Sequence, residues 1–92
     1  MIQSFNCKDT EALHQGHRVL RWANIESVAR RKLAQLHAAE SLAFLRAPPG
    51  NRLELLSGDR AGQYSMRIND RYRLCFVWTV SGPTEVEMVD YH

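Results

Sequence analysis

Three side chains suited to proton transfer stand next to each other at positions 90–92, where the sequence reads DYH. His92 carries an imidazole that changes charge near neutral pH, which makes it the first candidate for a general acid or base. Asp90 could orient that imidazole or accept a proton itself, and Tyr91 supplies a phenol that can stack or donate a hydrogen bond. The competing interpretation is structural, with a solvated His92, a surface carboxylate at Asp90 and a Tyr91 ring packed over the edge of the core.

Arginine supplies most of the positive charge of this chain. The chain has 12 basic and 10 acidic residues, and all of the basic residues except Lys8 and Lys32 are arginines. Arginine offers a rigid fork of donors and a flat face that stacks, which suits the recognition of phosphates and bases. A basic surface that is merely solvated is the alternative. The arginines that crowd the second half of the chain are Arg52, Arg60, Arg67, Arg71 and Arg73.

The elements that must position these residues begin with a helical half. A helix-compatible stretch covers residues 9–14, with Asp9 as the expected N-cap and Gly16 as a break. A second helix is expected from residue 24, capped by Asn24. The prolines of APPG (47–50) end any helix before them. The apolar stripe of the second helix consists of Ile25, Val28, Ala29, Leu33 and Leu36.

Past residue 50 apolar residues alternate with polar ones, which predicts β-strands. The alternation covers residues 52–55, 63–68, 72–78 and 84–92, and the dipeptide ND at 69–70 fits a hairpin turn. The apolar faces are expected to contain Leu53 and Leu55; Tyr64, Met66 and Ile68; Tyr72, Leu74, Phe76 and Trp78; and Val86 and Met88, whose parity Asp90 and His92 share.

Helices followed by an antiparallel meander make a small α+β fold, and this length corresponds to one domain over residues 1–92. The opening MIQSF (1–5) is expected to add an edge strand. Arg73 alternates away from the apolar face of its strand, so we expect it on the opposite face. If residues 84–90 pair in the sheet, Asp90 and its two successors stand at a rigid strand end and not on a frayed tail.

The composition argues against several classes of protein. With 45% hydrophobic and 24% charged residues the chain is typical of a globular domain, and it lacks the long apolar run of a membrane span or a signal peptide. Cys7 and Cys75 match no metal spacing and fit a reducing cytosolic compartment better than a disulfide framework, with one disulfide between them as the alternative. His14 and His17, in HQGH, lack a cysteine or acidic partner, and together with His37 they are expected at the surface. The sequence therefore predicts no metal and no other cofactor.

The stretch NRLELLSGDRAGQYSMRINDRYRLCFVW (51–78) followed by VDYH (89–92) resembles the HigB branch of the RelE-like toxins, as does the opening MIQSF. Its most specific parts are the LxGDRxGxxS pattern of residues 56–65, the strand that carries Arg73, and the final DYH. The resemblance implies two N-terminal helices packed on a twisted antiparallel sheet. It also implies a cytoplasmic toxin of a type II toxin–antitoxin pair that enters the decoding site of the 30S ribosomal subunit and cuts messenger RNA there. The partner would be a HigA-like helix-turn-helix antitoxin, so contact with operator DNA would be indirect.

Cleavage of this kind needs neither metal nor cofactor, because the 2′-hydroxyl of RNA is itself the nucleophile. A base must take its proton, an acid must protonate the departing 5′-oxygen, and cations must stabilise the charge on the phosphate. The resemblance implies an acid role for His92, supported by Asp90, with Tyr91 contacting the RNA and Arg73 as the phosphate clamp. The arginines that would extend the grip on RNA or the ribosome are Arg60, Arg67, Arg71 and Arg52.

At two positions the chain departs from the family pattern. Many HigB toxins carry histidine where this chain has Glu54 and lysine where it has Ser57. Glu54 is therefore an alternative general base, since its parity opposes the apolar residues of its strand. An ion pair of Glu54 with Arg52 or Arg73 is the competing role.

Two other functions compete with the nuclease hypothesis. The first is a toxin-like binding module that holds its antitoxin or occupies the ribosome without cleaving RNA. Primer extension on message from induced cells would separate the two, because only a nuclease leaves discrete cuts within codons. The second is direct DNA binding, which the arginine content permits, although no helix-turn-helix recognition pattern is apparent.

Overall fold

The computed structural model describes residues 1–90 and has an α+β fold, as the sequence predicted. Three α-helices come first: α1 (Lys8–His14), α2 (Glu26–Ala38) and α3 (Leu42–Arg46). A four-stranded antiparallel sheet follows, in the order β1-β2-β3-β4, with β1 at Glu54–Leu55, β2 at Tyr64–Arg67, β3 at Tyr72–Thr79 and β4 at Gly82–Asp90. Short 3₁₀ segments lie at Leu20–Ile25, Pro49–Asn51 and Gly58–Arg60.

Helix α2 forms because its apolar residues recur at helical spacing, and Ala29, Leu33 and Leu36 are fully buried on that stripe. The predicted start at Asn24 was wrong. Residues 20–25 form a 3₁₀ segment, and α2 begins at Glu26 without a side-chain cap.

The other two helices are short. Helix α1 has Cys7 at its N-cap, so Asp9 lies in the first turn, where its charge favours the helix dipole, and the predicted N-cap was wrong. Helix α3 is capped by Ser41, whose Oγ accepts a hydrogen bond from the backbone N–H of Phe44 over 3.2 Å. The sequence analysis missed α3, because five residues are too few for a periodic pattern to stand out.

The β2–β3 hairpin turns at Asn69, as predicted. The Oδ1 atom of Asn69 accepts hydrogen bonds from the backbone N–H groups of Arg71 and Tyr72, over 2.9 and 2.8 Å. The helices cover one face of the sheet, where the predicted apolar residues of β2, β3 and β4 are buried or half-buried, but Ser65 and Cys75 on the opposite face are buried as well. The side chains that are completely buried on this helix-covered face include Met66, Leu74, Phe76 and Val86.

Two predicted strands are shorter than expected. The opening segment makes a single parallel bridge, Phe5 to Val86, beside β4, and is not a full strand. Strand β1 pairs only with β2 at the edge of the sheet, and its Leu55 side chain is 64% exposed although it was expected to be buried. Leu53, just before β1, does pack against the core.

None of the helices within residues 1–90 combines the length and apolar character that a membrane span requires.

Candidate functional site

The face of the sheet that points away from the helices, called here the outer face, carries two polar rows. In the first row Glu54 pairs with Ser65, Ser65 with Cys75, and Cys75 with Glu87. Side chains of residues directly opposite each other in a sheet share a face and touch. This row therefore crosses all four strands and ends in a carboxylate on each side.

The second row brings two arginines together. Arg67 pairs with Arg73, and Arg73 pairs with Val89. Like charges directly opposite each other in a sheet are destabilising. Such an arrangement suits a surface that binds an anion, because an anion between the two guanidinium groups relieves the repulsion.

Arg73 is held by neutral oxygen atoms. Its Nε donates a hydrogen bond to Ser65 Oγ over 2.8 Å, and its Nη2 donates to the backbone carbonyl of Arg52 over 2.6 Å and to that of Ser65 over 3.4 Å. Within residues 1–90 no carboxylate lies at salt-bridge distance from it. The charge of Arg73 is therefore oriented without being neutralised by any carboxylate of that part of the chain.

The backbone of Arg52 contributes to this arrangement. Arg52 follows the 3₁₀ segment Pro49–Asn51 and has a φ of 44°, in the left-handed region that residues other than glycine rarely adopt. Its carbonyl oxygen accepts from Arg73, so the chain turns here and at the same time supplies an acceptor to the outer face. From the sequence, Arg52 was predicted to act only through its side chain, as a contact to RNA or the ribosome.

Two other predicted arginines, Arg67 and Arg71, form salt bridges near the end of the sheet. Arg67 pairs with the fully exposed Asp70, and Arg71 pairs with Asp90, its Nε and Nη2 lying 2.9 and 2.8 Å from Oδ2. The hydrogen bond from Arg71 to Asp90, together with the negative charge of Asp90, raises the pKa of Arg71. The charge of these two arginines is therefore partly balanced within the protein.

Arg60 joins the loop before β2 to strand β4. Its Nη1 lies 2.8 Å from Oε1 of Glu87 and 3.0 Å from Oε1 of Gln63, and the ion pair with Glu87 is half-buried. The pair lies near Cys75. Burial raises the pKa of the Cys75 thiol, and the charge of Arg60 acts in the opposite direction. Arg60 therefore has a structural role beside any contact with RNA.

Glu54 lies at the edge of the outer face and is exposed. The salt bridges formed within residues 1–90 do not include Glu54, so the competing role as an ion-pair partner of Arg52 or Arg73 finds no support there. It is in register with Ser65, the residue that holds Arg73. The carboxylate and the guanidinium are thus linked through one residue.

Asp90 does not join this group on the outer face. It is in register with Tyr72, which packs against the core, whereas Arg73 is in register with Val89. Asp90 therefore lies on the helix-covered side at the end of the sheet, where it meets Arg71. The predicted Tyr91 and His92 lie outside the described residues, so their grouping with Asp90 stays a prediction.

Two residues of this site, Ser65 and Glu87, were not predicted as site residues from the sequence. Two features of the sequence could have indicated a role for Ser65. It is the last residue of the LxGDRxGxxS pattern, and it lies two positions before Arg67 in the same strand, so both side chains point to one face. The roles of Ser65 and Glu87 depend on partners 8 and 27 positions away along the chain, Arg73 and Arg60 respectively. Such contacts follow from strand register, which the alternation of residues does not specify.

The remaining predicted and unpredicted features lie elsewhere. His14 and His37 were expected at the surface but are half-buried, with ring centroids 5.1 Å apart, because α1 packs against α2.

Groups of three or more metal-ligating side chains are absent from the described part of the chain. A cleft of about 240 Å³ lies at the far end of the β3–β4 hairpin, lined by Met1, Trp78 and Val80 among others.

Comparison with known proteins matches this chain to one family over nearly its whole length. Residues 5–92 match the model of the family described as the RelE-like toxin of the type II toxin–antitoxin system HigB. The chain belongs to the HigB-like toxin family. The resemblance noted in the sequence is thus confirmed.

Two relatives extend this match. Toxin HigB-1 of Vibrio cholerae serotype O1 is 48% identical over 56 residues, which are 61% of this chain and 59% of that protein. An uncharacterized protein of Haemophilus influenzae is 43% identical over 54 residues, which are 59% of this HigB-like chain and 54% of that protein. The matched part therefore spans a little over half the length of these curated relatives.

Proposed function

We propose that this HigB-like protein is the toxin of a type II toxin–antitoxin pair and that it cleaves messenger RNA in the decoding site of the 30S ribosomal subunit. The observation that carries this proposal is Arg73, which lies on the outer face near the start of β3 with its charge oriented by neutral oxygens. The family match and the name of the relative from Vibrio cholerae support the toxin role.

The reaction is a transfer within the RNA chain. The 2′-oxygen forms a bond to the neighbouring phosphorus while the bond from phosphorus to the 5′-oxygen breaks, which leaves a 2′,3′-cyclic phosphate and a 5′-hydroxyl group. A base removes the proton of the 2′-hydroxyl, and an acid gives one to the 5′-oxygen. Negative charge builds on the non-bridging oxygens, and a fixed guanidinium is well suited to stabilise it.

The roles follow from position on the sheet. Arg73 is the phosphate clamp, and Glu54, exposed and without a salt bridge in residues 1–90, is the candidate base. His92 as the acid and Tyr91 as an RNA contact remain predictions. Asp90 acts at the sheet end by holding Arg71, which with Arg52 and Arg67 extends the positive surface toward RNA or the ribosome.

The proposed partners follow from this role. A HigA-like helix-turn-helix antitoxin would neutralise the toxin and would alone contact operator DNA. Ribosomes and messenger RNA are the targets, so the proposed site of action is the cytoplasm. The proposed reaction uses no cofactor, because the nucleophile belongs to the RNA.

Replacement of Arg73 tests the proposal directly. We expect Arg73→Ala to lower the rate of messenger RNA cleavage on ribosomes by about 10²-fold or more, the usual cost of losing one preorganised donor to a developing charge. Growth arrest on induction should be lost as well. Because the change removes the donor of the buried Ser65 hydroxyl and of the Arg52 carbonyl, some thermal stability should be lost, and circular dichroism at the assay temperature checks that Arg73→Ala is still folded.

The matched control is Arg46→Ala, which removes the same charge from the exposed end of α3. That variant should cleave like the unchanged protein. Cleavage by Arg73→Ala at the rate of the Arg46→Ala control would contradict the proposed clamp.

One observation favours a second function, a binding module that occupies the ribosome or holds its antitoxin without cleaving RNA. Asp90 lies on the side of the sheet opposite to Arg73, so one of the predicted proton-transfer groups is separated from the clamp. Primer extension on message from induced cells discriminates the two functions. Discrete cuts within codons support the nuclease, and arrest without cuts supports the binding module.

A further inference from the structure

We propose that Ser65 is a positioning residue for Arg73: its hydroxyl, together with the backbone carbonyl of Arg52, fixes the guanidinium so that its Nη1 group faces the phosphate. This inference deepens the proposed function and rests on it. Ser65 itself would not touch the substrate, since its side chain is fully buried.

The donor inventory of Arg73 supports this assignment. A guanidinium has five N–H groups, and Nε–H and one N–H of Nη2 lie along the same side of the plane. Nε donates to Ser65 Oγ over 2.8 Å, and Nη2 donates to the backbone carbonyl of Arg52 over 2.6 Å and to that of Ser65 over 3.4 Å. Nη1, with its two N–H groups, makes no hydrogen bond to any residue in 1–90. Nη1 is therefore the part of the guanidinium that can donate to phosphate oxygens.

The neighbouring arginines show what the neutral acceptors achieve. Arg60 meets Glu87, Arg67 meets Asp70 and Arg71 meets Asp90, so each of these guanidinium groups is near a carboxylate. A hydroxyl and two carbonyls orient Arg73 and leave its full charge for a ligand.

Ser65 can hold this position because it is itself immobilised. It lies in β2 between a paired β1 and a paired β3, opposite Cys75. A serine hydroxyl attached to a central strand moves little, so the guanidinium that bonds it is preorganised. Arg67, opposite Arg73, adds positive potential without competing for Ser65.

The test combines single and double variants in single-turnover cleavage on ribosomes. We expect Ser65→Ala to slow cleavage about tenfold, which is typical of losing one hydrogen bond to a charged group. In the Arg73→Ala background the same change should have no further effect, because Ser65 acts through Arg73. Ser65→Thr, which keeps the hydroxyl, should recover most of the rate, and Ser27→Ala on the exposed start of α2 serves as the matched control.

Each outcome decides the proposal. If Ser65→Ala slows cleavage by the same factor with and without Arg73, Ser65 has only a structural role and the inference is overturned. Ser65→Ala with the rate of the Ser27→Ala control overturns it as well. If Arg73→Ala is itself fully active, both the clamp and its positioning residue are wrong.

A second measurement separates this inference from the proposed function. Inorganic phosphate can be titrated into the isolated protein while the Nε–H resonance of Arg73 is followed by NMR. Ser65→Ala should weaken the phosphate affinity about tenfold and shift that resonance. If the unchanged protein binds phosphate in this way but does not cleave RNA, the nuclease proposal fails and the positioning role stands. Equal phosphate affinity in both proteins would overturn the positioning role.

Discussion

At the scale of single residues, the charged side chains of the candidate site are of two kinds: some form a salt bridge within residues 1–90, and others do not. Arg60, Arg67 and Arg71 meet carboxylates, whereas Arg73 meets neutral oxygens and Glu54 has no salt bridge among residues 1–90. Arg73 and Glu54 are thus a cation and a carboxylate that have no salt bridge within residues 1–90 and are linked through Ser65. A base and a clamp are the two functions that phosphate transfer in RNA requires beside an acid.

The role of Glu54 as general base can be tested by an isosteric change. Glu54→Gln should lower the single-turnover cleavage rate by about 10²-fold or more, because general bases typically contribute 10²–10⁴-fold. The affinity for ribosomes carrying uncleavable message should change less than about twofold, since a base acts mainly in the transition state.

Glu40→Gln, at an exposed position before α3, is the control for loss of one acidic charge. A Glu54→Gln protein as fast as this control would assign the base role to another residue, with His92 the next candidate.

At the scale of elements, the 3₁₀ segment Gly58–Arg60 is tied to β4 across the sheet. The connection is the half-buried ion pair of Arg60 with Glu87, and Arg60 Nη1 also donates a hydrogen bond to Gln63 Oε1. This arrangement keeps the loop before β2 above the row of Ser65 and Cys75. The loop therefore lies beside the candidate site, and Glu87 of the last strand helps to hold it there.

Glu87→Gln should loosen that loop. We expect a loss of about 1–2 kcal/mol in the free energy of unfolding, between the small value of an exposed pair and the larger one of a buried pair. Urea unfolding gives the stability, and hydrogen exchange should show faster opening at residues 58–63.

Glu85→Gln is the matched control, since Glu85 lies in the same strand and is exposed. Equal stability of the two variants would show that the ion pair does not hold the loop.

At the scale of the whole molecule, the opening segment joins the helices to the sheet. The backbone N–H of Ile2 donates to His37 Nδ1 on α2 over 3.2 Å, and that of Asn6 donates to the carbonyl of Val86 on β4 over 2.9 Å. His14 packs between Phe5 and His37, with ring centroids 5.6 and 5.1 Å away. Two imidazoles thus lie where α1, α2 and the opening segment meet.

This arrangement predicts a loss of stability in mild acid. Burial, and next the charge of His37, lower the pKa of His14 below its ordinary value. The unfolded chain therefore binds a proton more readily than the folded one, so stability falls as the pH drops below about 6.5 and is fully present above it.

Thermal unfolding at pH 7.5 and 5.5 measures the effect. His14→Gln should lose less stability between these two values than the unchanged protein, whereas His17→Gln, at an exposed position, should behave like the unchanged protein. An equal loss in all three proteins would locate the acid sensitivity elsewhere.

Local patterns in the sequence were enough for the class of fold and for much of its framework. The stripe of α2 and the alternation in β2, β3 and β4 determine which side chains face the core, because apolar spacing of 3.6 or 2 residues admits one buried face. The same alternation places Arg73 opposite the core, and Asn69 specifies the hairpin through bonds to the next residues of the chain. The family followed from motifs that the chain displays in order.

Tertiary structure alone decided which groups meet. The bond of Arg73 to Ser65, the pair of Arg60 with Glu87 and the position of Asp90 beside Arg71 depend on strand register, which a period of two leaves open. The burial of His14 and His37 depends on how two helices pack, and a five-residue helix such as α3 has no periodic signal of its own. Periodicity within a segment specifies a direction for each side chain, whereas contact between segments requires all of them to be docked at once.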